Sequence, residues 1–206
     1  MARGRFIVVE GPDGAGKSTL ARWLARRLRA TGRRVVAVRE PGGTPVAEAA
    51  RKVALRFPHA MAPAAELFLM LVARADLVER VIRPALADGG MVVADRFDLS
   101  TLAYQVAGGG LARGRVRVAN GLATRGLRPD LTLVLDLPVG VGRLRQRRAG
   151  KRQDRIERRG DAYHARVLRA YRNARGPGVV HIDASQSQQA VRTAAWQVVT
   201  RVVLNS

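Results

Sequence analysis

Residues 6–19 read FIVVEGPDGAGKST: a short β-branched apolar stretch that runs directly into a glycine-rich octet. A buried strand followed by such a loop has few uses. The octet at 11–18 fits G-x-x-x-x-G-K-[ST], in which glycines let backbone N–H groups turn inward around phosphate oxygens with no side chain in the way. Gly11, Pro12, Asp13, Gly14, Ala15, Gly16, Lys17, Ser18 and Thr19 therefore form a candidate triphosphate cradle. In this pattern the lysine, here Lys17, reaches the β- and γ-phosphates, and the Ser18 hydroxyl ligates magnesium. A helix beginning at the loop adds its positive dipole end. Lysine occurs only at positions 17, 52 and 151 of an arginine-dominated chain, so a compact point charge is kept where arginine's broad fork would not fit.

The rest of the chain repeats the alternation of strand and helix. Apolar runs at 35–38, 91–94, 131–137 and 178–183 join the one at 6–10 as expected strands. Helical spacing marks Lys17 to Thr31, a segment from Pro45 to near Pro58, and a long stretch at 64–87 with a kink expected at Pro84. Further helix is expected up to Gly108-Gly109-Gly110, from Pro138 into an Arg-rich stretch at 143–159, at 161–173 and at 188–203. The strands are continuous apolar runs, as strands buried on both faces are. The expectation is one α/β domain over 1–206: a five-stranded parallel sheet with helices on both faces.

Composition narrows the function. With no cysteine there is no disulfide, thiol nucleophile or Cys-ligated metal. No apolar run approaches the roughly 20 residues of a bilayer span, and the basic N-terminus leads straight into the glycine loop, so a cytoplasmic protein is expected. The net charge of +21 raises a nucleic-acid partner. Against it, the arginines are spread along the whole chain and aromatics are only 4%, few for stacking bases. The charge implies weak, salt-dependent polyanion binding and no specific nucleic-acid partner. His59, His164 and His181 show no ligand-like spacing.

The strand VVADR at 92–96 ends in a carboxylate followed by an arginine. Ligands of open parallel sheets bind beyond the carboxyl ends of the strands. Asp95 is the candidate second holder of the magnesium, and Arg96 can clamp a phosphate through two hydrogen bonds.

Four segments together resemble the thymidylate kinase family: EGPDGAGKST at 10–19, REPGGTPVAE at 39–48, DRFDLSTLAYQ at 95–105, and RPDLTLVLDLPVGVGRLRQR at 128–147 leading to DRIE at 154–157. The resemblance implies phosphorylation of dTMP by ATP with magnesium, and a homodimer. It implies that Asp13 bonds the sugar 3′-hydroxyl, that Arg39 and the loop at 40–43 lie by the acceptor phosphate and help position the metal region, and that Arg74 bonds the pyrimidine. It also implies that Arg96 binds the acceptor phosphate, that Ser100 and Thr101 lie at the base edge, and that Tyr104 packs on the deoxyribose. The loop from Asp183 to Gln186 would border the adenine.

Within the family a catalytic arginine comes either from the phosphate loop or from the lid. Here Ala15 takes the loop position, while RRAGKRQDRIERR at 147–159 is dense in arginine, so the chain resembles the bacterial lid-arginine type. Arg148, Arg152 and Arg155 lead as candidates, a role worth about 10³–10⁵ in rate in related enzymes. Met70 stands where the family usually has a base-stacking phenylalanine; it can cover a base face but lacks ring-on-ring geometry, which implies softer base recognition. The alternatives are another nucleoside monophosphate kinase of this fold, or a nucleic-acid-dependent ATPase.

Overall fold

The computed structural model of the chain describes residues 4–138, 140–148, 150 and 153–204. Five strands, β1 (Arg5–Glu10), β2 (Val35–Arg39), β3 (Met91–Asp95), β4 (Leu131–Asp136) and β5 (Val179–Asp183), form one parallel sheet in the order β2-β3-β1-β4-β5. From β1 the chain passes to the edge strand β2, returns to β3 between them, and then crosses β1 to β4 and β5 on the other side. The ends of β1 and β3 are thus neighbours at the point where the winding reverses, with Val9 opposite Asp95. That places the loop after β1 and the Asp-Arg pair after β3 at one crevice.

Alternation along β1 builds two apolar layers. Ile7 and Val9 pack on one side with Leu20, Leu24 and Leu28 of α1 (Lys17–Arg29) and with Ala195 and Val199 of α9 (Gln188–Val199). Phe6 and Val8 pack on the other with Leu77, Ile82 and Phe97. Both faces are covered, which is why the strands read as unbroken apolar runs. Leu24 and Leu28 are fully buried, and truncating either to alanine costs about 2–5 kcal/mol.

The remaining helices are α2 (Pro45–Arg56), α3 (Pro63–Leu77), α4 (Arg83–Ala87), α5 (Asp98–Thr101), α6 (Arg113–Thr124), α7 (Val141–Arg148) and α8 (Asp161–Arg172). Thr44 caps α2, its hydroxyl accepting from the Ala47 N–H at 3.1 Å, with Pro45 at the first helical position. The kink expected at Pro84 takes the form of a widened π turn at Val78–Ile82 between α3 and α4. The Arg83 N–H reaches back five residues to the Val78 carbonyl. The extra residue in that turn accommodates a proline ring that would clash with the carbonyl four residues earlier in an ordinary helix. A second π segment, Leu102–Gly108, continues α5 and carries Tyr104 and Gln105. Helix α7 starts at Val141, three residues after Pro138.

Candidate active site

The loop joining β1 to α1 is shaped by its glycines. Gly16 is the N-cap of α1 with φ of 92°, and Gly14 has φ of 80° with the backbone of Gly142 so close that no Cβ fits. This close approach presses the loop against the start of α7. Ala15 is buried in the core and brings no charge. The Lys17 ammonium donates to the Pro12 carbonyl at 2.7 Å across the loop and lies 3.8 Å from the Asp13 carboxylate. Burial pushes Lys17 down to about 8, with the Arg96 charge adding to the effect.

The Ser18 hydroxyl donates to Asp95 Oδ2, so helix α1 and strand β3 meet through these two side chains. The second oxygen, Asp95 Oδ1, is buried with no hydrogen-bond partner. A hydroxyl and a carboxylate with an unused lone pair make a hard-oxygen donor set that fits magnesium, which takes few protein ligands and keeps waters and substrate phosphates for the rest. Among the described residues there is no cluster of three or more His, Cys, Asp or Glu that could hold a metal outright.

Arg96 sits in the left-handed region with φ of 76°, an uncommon conformation for a side chain of its size. Its guanidinium pairs with Asp13 and donates to Ser100 Oγ and Tyr171 OH at 3.1 Å and to Tyr104 OH at 3.2 Å. The Tyr104 hydroxyl donates to the other Asp13 oxygen at 2.7 Å. Beneath lies Glu10, fully buried at the end of β1, accepting from the N–H groups of Phe97 and Ser100 at 2.8 and 3.0 Å, from Ser100 Oγ at 2.7 Å and from Tyr171 OH at 3.1 Å. Burial pushes the Glu10 carboxyl up, and it pushes the hydroxyls of Tyr104 and Tyr171 up as well, so both phenols stay protonated donors.

Arg74 is buried, and each of its five N–H groups has a partner. Nε and Nη2 reach Glu40 Oε2 at 2.8 and 2.7 Å, and Nη2 also donates to the Phe97 carbonyl at 2.9 Å. Nη1 donates to Thr101 Oγ1 at 2.7 Å and to Asn120 Oδ1 at 2.5 Å. Burial pushes the Glu40 carboxyl up to about 7 against the pull of Arg74.

These groups share one cavity of about 430 Å³. Asp13, Lys17, Ser18, Thr19, Asp95 and Arg96 line it, together with Arg39, Met70, Arg74, Ser100, Thr101 and Tyr104. Arg39 also pairs with Glu48 at 2.8 Å. Met70 faces the cavity, whereas Phe68 points to solvent, 59% exposed.

The lid candidates divide. Arg148 is exposed at the end of α7, and Arg152 lies outside the described residues. The structure does not bring Arg155 to the cavity: its guanidinium, 11% exposed, donates to the Ala54 carbonyl and to Glu66 at 2.6 Å. An arginine of α7 just before the stretch at 147–159, Arg145, does line the cavity, and it donates to the Ala184 carbonyl at 3.0 Å.

Arg145, Arg51, Gln105, Glu10 and Tyr171 were not singled out from the sequence, and Glu40 only as part of the loop at 40–43. Glu10 and Gln105 do carry a signal, a polar residue abutting the glycine loop and the last residue of DRFDLSTLAYQ. Tyr171 carries none; it arrives from α8, 161 residues after Glu10.

The loop from Asp183 to Gln186 closes on itself, Asp183 accepting from Ser185 N at 2.9 Å and Gln186 Nε2 at 3.0 Å. Ala184 and Gln186, with Gly14, Thr19 and Arg145, line an adjoining cavity of about 240 Å³.

A family model described as Thymidylate kinase matches residues 9–195. The thymidylate kinase of Pseudomonas putida (strain GB-1) is 49% identical over 193 residues, 92% of this chain and 91% of its own. That of Cereibacter sphaeroides (strain ATCC 17029) is 48% identical over 202 residues, 94% and 93% of the two chains. A phosphate-binding loop, a carboxylate–hydroxyl pair beside it, and an Arg–Asp–Tyr cluster in one cavity therefore occur in a chain that belongs to the thymidylate kinase family.

Proposed function

We propose that the chain transfers the γ-phosphoryl group of ATP to the phosphate of dTMP, giving dTDP and ADP. The observation that carries this is the shared cavity, which Lys17, Ser18 and Asp95 line together with Arg96, Asp13 and Tyr104; in this reading the first three take the triphosphate and the last three the acceptor. The acceptor oxygen is already anionic, so no strong general base is needed. The protein's part is positioning and charge neutralisation. Lys17 neutralises the β- and γ-phosphates. Arg96 turns toward the acceptor phosphate, its angle fixed by Asp13, Ser100 and the two tyrosine hydroxyls. Ser18 and Asp95 would hold magnesium, which when bound neutralises charge on the phosphate oxygens. Arg145, Arg148 and Arg152 are the arginines from which the lid would complete the site, Arg145 already lining the cavity. The adjoining cavity at Ala184 and Gln186 suits the adenine.

The base end is polar on one edge and apolar on its face. Met70 covers the face. At the edge stands Arg74, whose five N–H groups are all engaged within the protein, so a ring carbonyl would take the N–H now given to cavity-lining Thr101. Gln105 lines the same region with its Nε2 donating to Glu66 at 3.0 Å, which leaves its carbonyl oxygen as the group available to a ring N–H. Thymine offers that carbonyl and that N–H.

A homodimer fits the surface. Exposed apolar side chains fall on α2 (Val46, Val53), α3 (Phe68, Val72) and α6 (Val118, Leu122), and α3 packs against both of its neighbours. Apolar residues gathered in this way mark an association surface, and a second copy of the chain is the proposed occupant. No helix among the described residues is long and apolar enough to cross a membrane, and the proposed compartment is the cytoplasm, where the nucleotide substrates are.

The test is an ADP-release assay with ATP, magnesium and dTMP on the wild type and Lys17→Ala. The wild type turns over; the variant loses about 10²–10³ in kcat with its fold intact. Equal turnover by both contradicts the assignment.

A further inference from the structure

Glu66 on α3 is 1% exposed, yet it touches three polar side chains from two distant segments. Its Oε1 accepts from Gln105 Nε2 at 3.0 Å and from Arg159 Nη1 at 3.5 Å. Its Oε2 accepts from Arg155 Nη2 at 2.6 Å and Arg159 Nη2 at 2.7 Å. Arg155 and Arg159 belong to the segment that closes the lid, and Gln105 lines the cavity. Arg155 is further fixed to the end of α2, its Nε and Nη2 donating to the Ala54 carbonyl at 3.0 and 2.8 Å and its N–H to the Leu55 carbonyl at 3.1 Å. Arg159 lies over the ring of Tyr163, whose hydroxyl donates to the Tyr104 carbonyl at 3.0 Å.

We infer, on the dTMP reading of the cavity, that Glu66 is a positioning residue which sets base selectivity by fixing the Gln105 amide, and which ties that setting to the base of the lid through Arg155 and Arg159. The chemistry is one of donor and acceptor. An ionised carboxylate can only accept, so Gln105 must turn its NH₂ toward Glu66 and its carbonyl toward the ligand. That orientation welcomes the ring N–H of thymine and opposes the bare ring nitrogen of cytosine. The two arginines pair with the buried carboxylate, Arg155 at 2.6 Å and Arg159 at 2.7 Å from Oε2. Without them it would be an unpaired buried charge. Arg155 and Arg159 therefore serve as anchors, and the lid's catalytic charge comes from elsewhere in it.

The experiment compares the full-length wild type with Glu66→Gln, Glu66→Asp, Gln105→Ala and the Glu66→Gln/Gln105→Ala double variant. The readouts are kcat and KM for dTMP and the inhibition constant of dCMP as competitor. Glutamine at 66 can donate or accept, which frees the Gln105 amide to flip. The dTMP-over-dCMP preference then falls about tenfold, mainly through dTMP KM and dCMP inhibition rather than kcat. Aspartate remains acceptor-only and keeps the preference, even where it lowers thermal stability. In the double variant Glu66→Gln adds nothing to the loss caused by Gln105→Ala.

An unchanged preference in folded Glu66→Gln, or a loss that multiplies with that of Gln105→Ala, overturns the role assigned to Glu66 while leaving the dTMP assignment standing. A wild type that does not turn over dTMP overturns both. Should Glu66→Gln fail to fold, Glu66→Gln/Arg159→Leu removes one of the two cations left without their carboxylate, Arg155 keeping its bonds to the Ala54 carbonyl, and carries the same comparison.

Discussion

The Tyr104 hydroxyl donates to Asp13 Oδ2 at 2.7 Å, and the other oxygen of that carboxylate pairs with Arg96. A loop residue, a π-helical tyrosine and a strand-end arginine are thereby locked into one unit before any substrate arrives. Tyr104→Phe keeps the ring and removes the bond. A hydrogen bond of this kind is worth about 0.5–1.5 kcal/mol, so dTMP KM should rise roughly two- to tenfold. Discrimination against the ribonucleotide should persist, because the ring that meets the sugar is still present. Steady-state kinetics with both acceptors checks this; loss of sugar discrimination in the variant would place it in the hydroxyl instead.

Lys17 gives the site a pH dependence of definite sign. Burial lowers its pKa from 10.5 to about 8, so its proton is lost within the accessible range. The triphosphate binds the protonated form. Affinity for ATP therefore holds at pH 7 and falls as pH rises past 8, by about tenfold at pH 9, where about a tenth of the lysine keeps its proton. Calorimetric titration of ATP at pH 7, 8 and 9 measures it, and proton uptake on binding should appear at the upper end. A flat profile would mean that Lys17 stays fully charged in the free protein.

Met70 lines the cavity with a flexible thioether where an aromatic ring would stack on a base. Met70→Phe should lower dTMP KM, by roughly two- to tenfold if the ring pair gains about 0.5–1.5 kcal/mol. No tightening would show that Met70 serves the packing around Tyr171 and Val167 rather than the base.

How far these roles were legible in the sequence follows from how local each one is. The three central strands, β1, β3 and β4, are buried on both faces, so each is a continuous apolar run that can be read without knowing its neighbours, and the half-buried edge strands β2 and β5 keep enough valine to be read the same way. The loop at 11–18 is equally local, since its glycines and lysine are needed by backbone geometry within a few residues. Phe68 and Met70 lie two apart on α3, so one faces solvent and the other the cavity, as helical spacing requires. Legibility ends where function depends on partners far along the chain. Nothing in the sequence joins Glu10 to Tyr171, or Glu66 to Arg155 and Arg159. Among many arginines, the ones that anchor and the ones that face the cavity are separated only by the folded contacts. Pro84 announced a kink but not the π turn that absorbs it, because either a bend or an inserted residue relieves the same clash.

The exposed apolar side chains of α2, α3 and α6 lead to a prediction about assembly. Leu122 on α6 is 83% exposed, so a charge there costs the folded monomer little. The wild type should run as a dimer in light-scattering chromatography and Leu122→Arg as a folded monomer or a weakened dimer. A monomeric wild type, or an unaffected dimer in the variant, would move the interface to another face.

The most direct test of the account is a coupled ADP-release assay with ATP and magnesium against a panel of nucleoside monophosphates, run at moderate salt. Preference for dTMP over dUMP, dCMP and the purine monophosphates is the result expected. Turnover with none of them, alongside ATP hydrolysis stimulated by DNA or RNA, would contradict it.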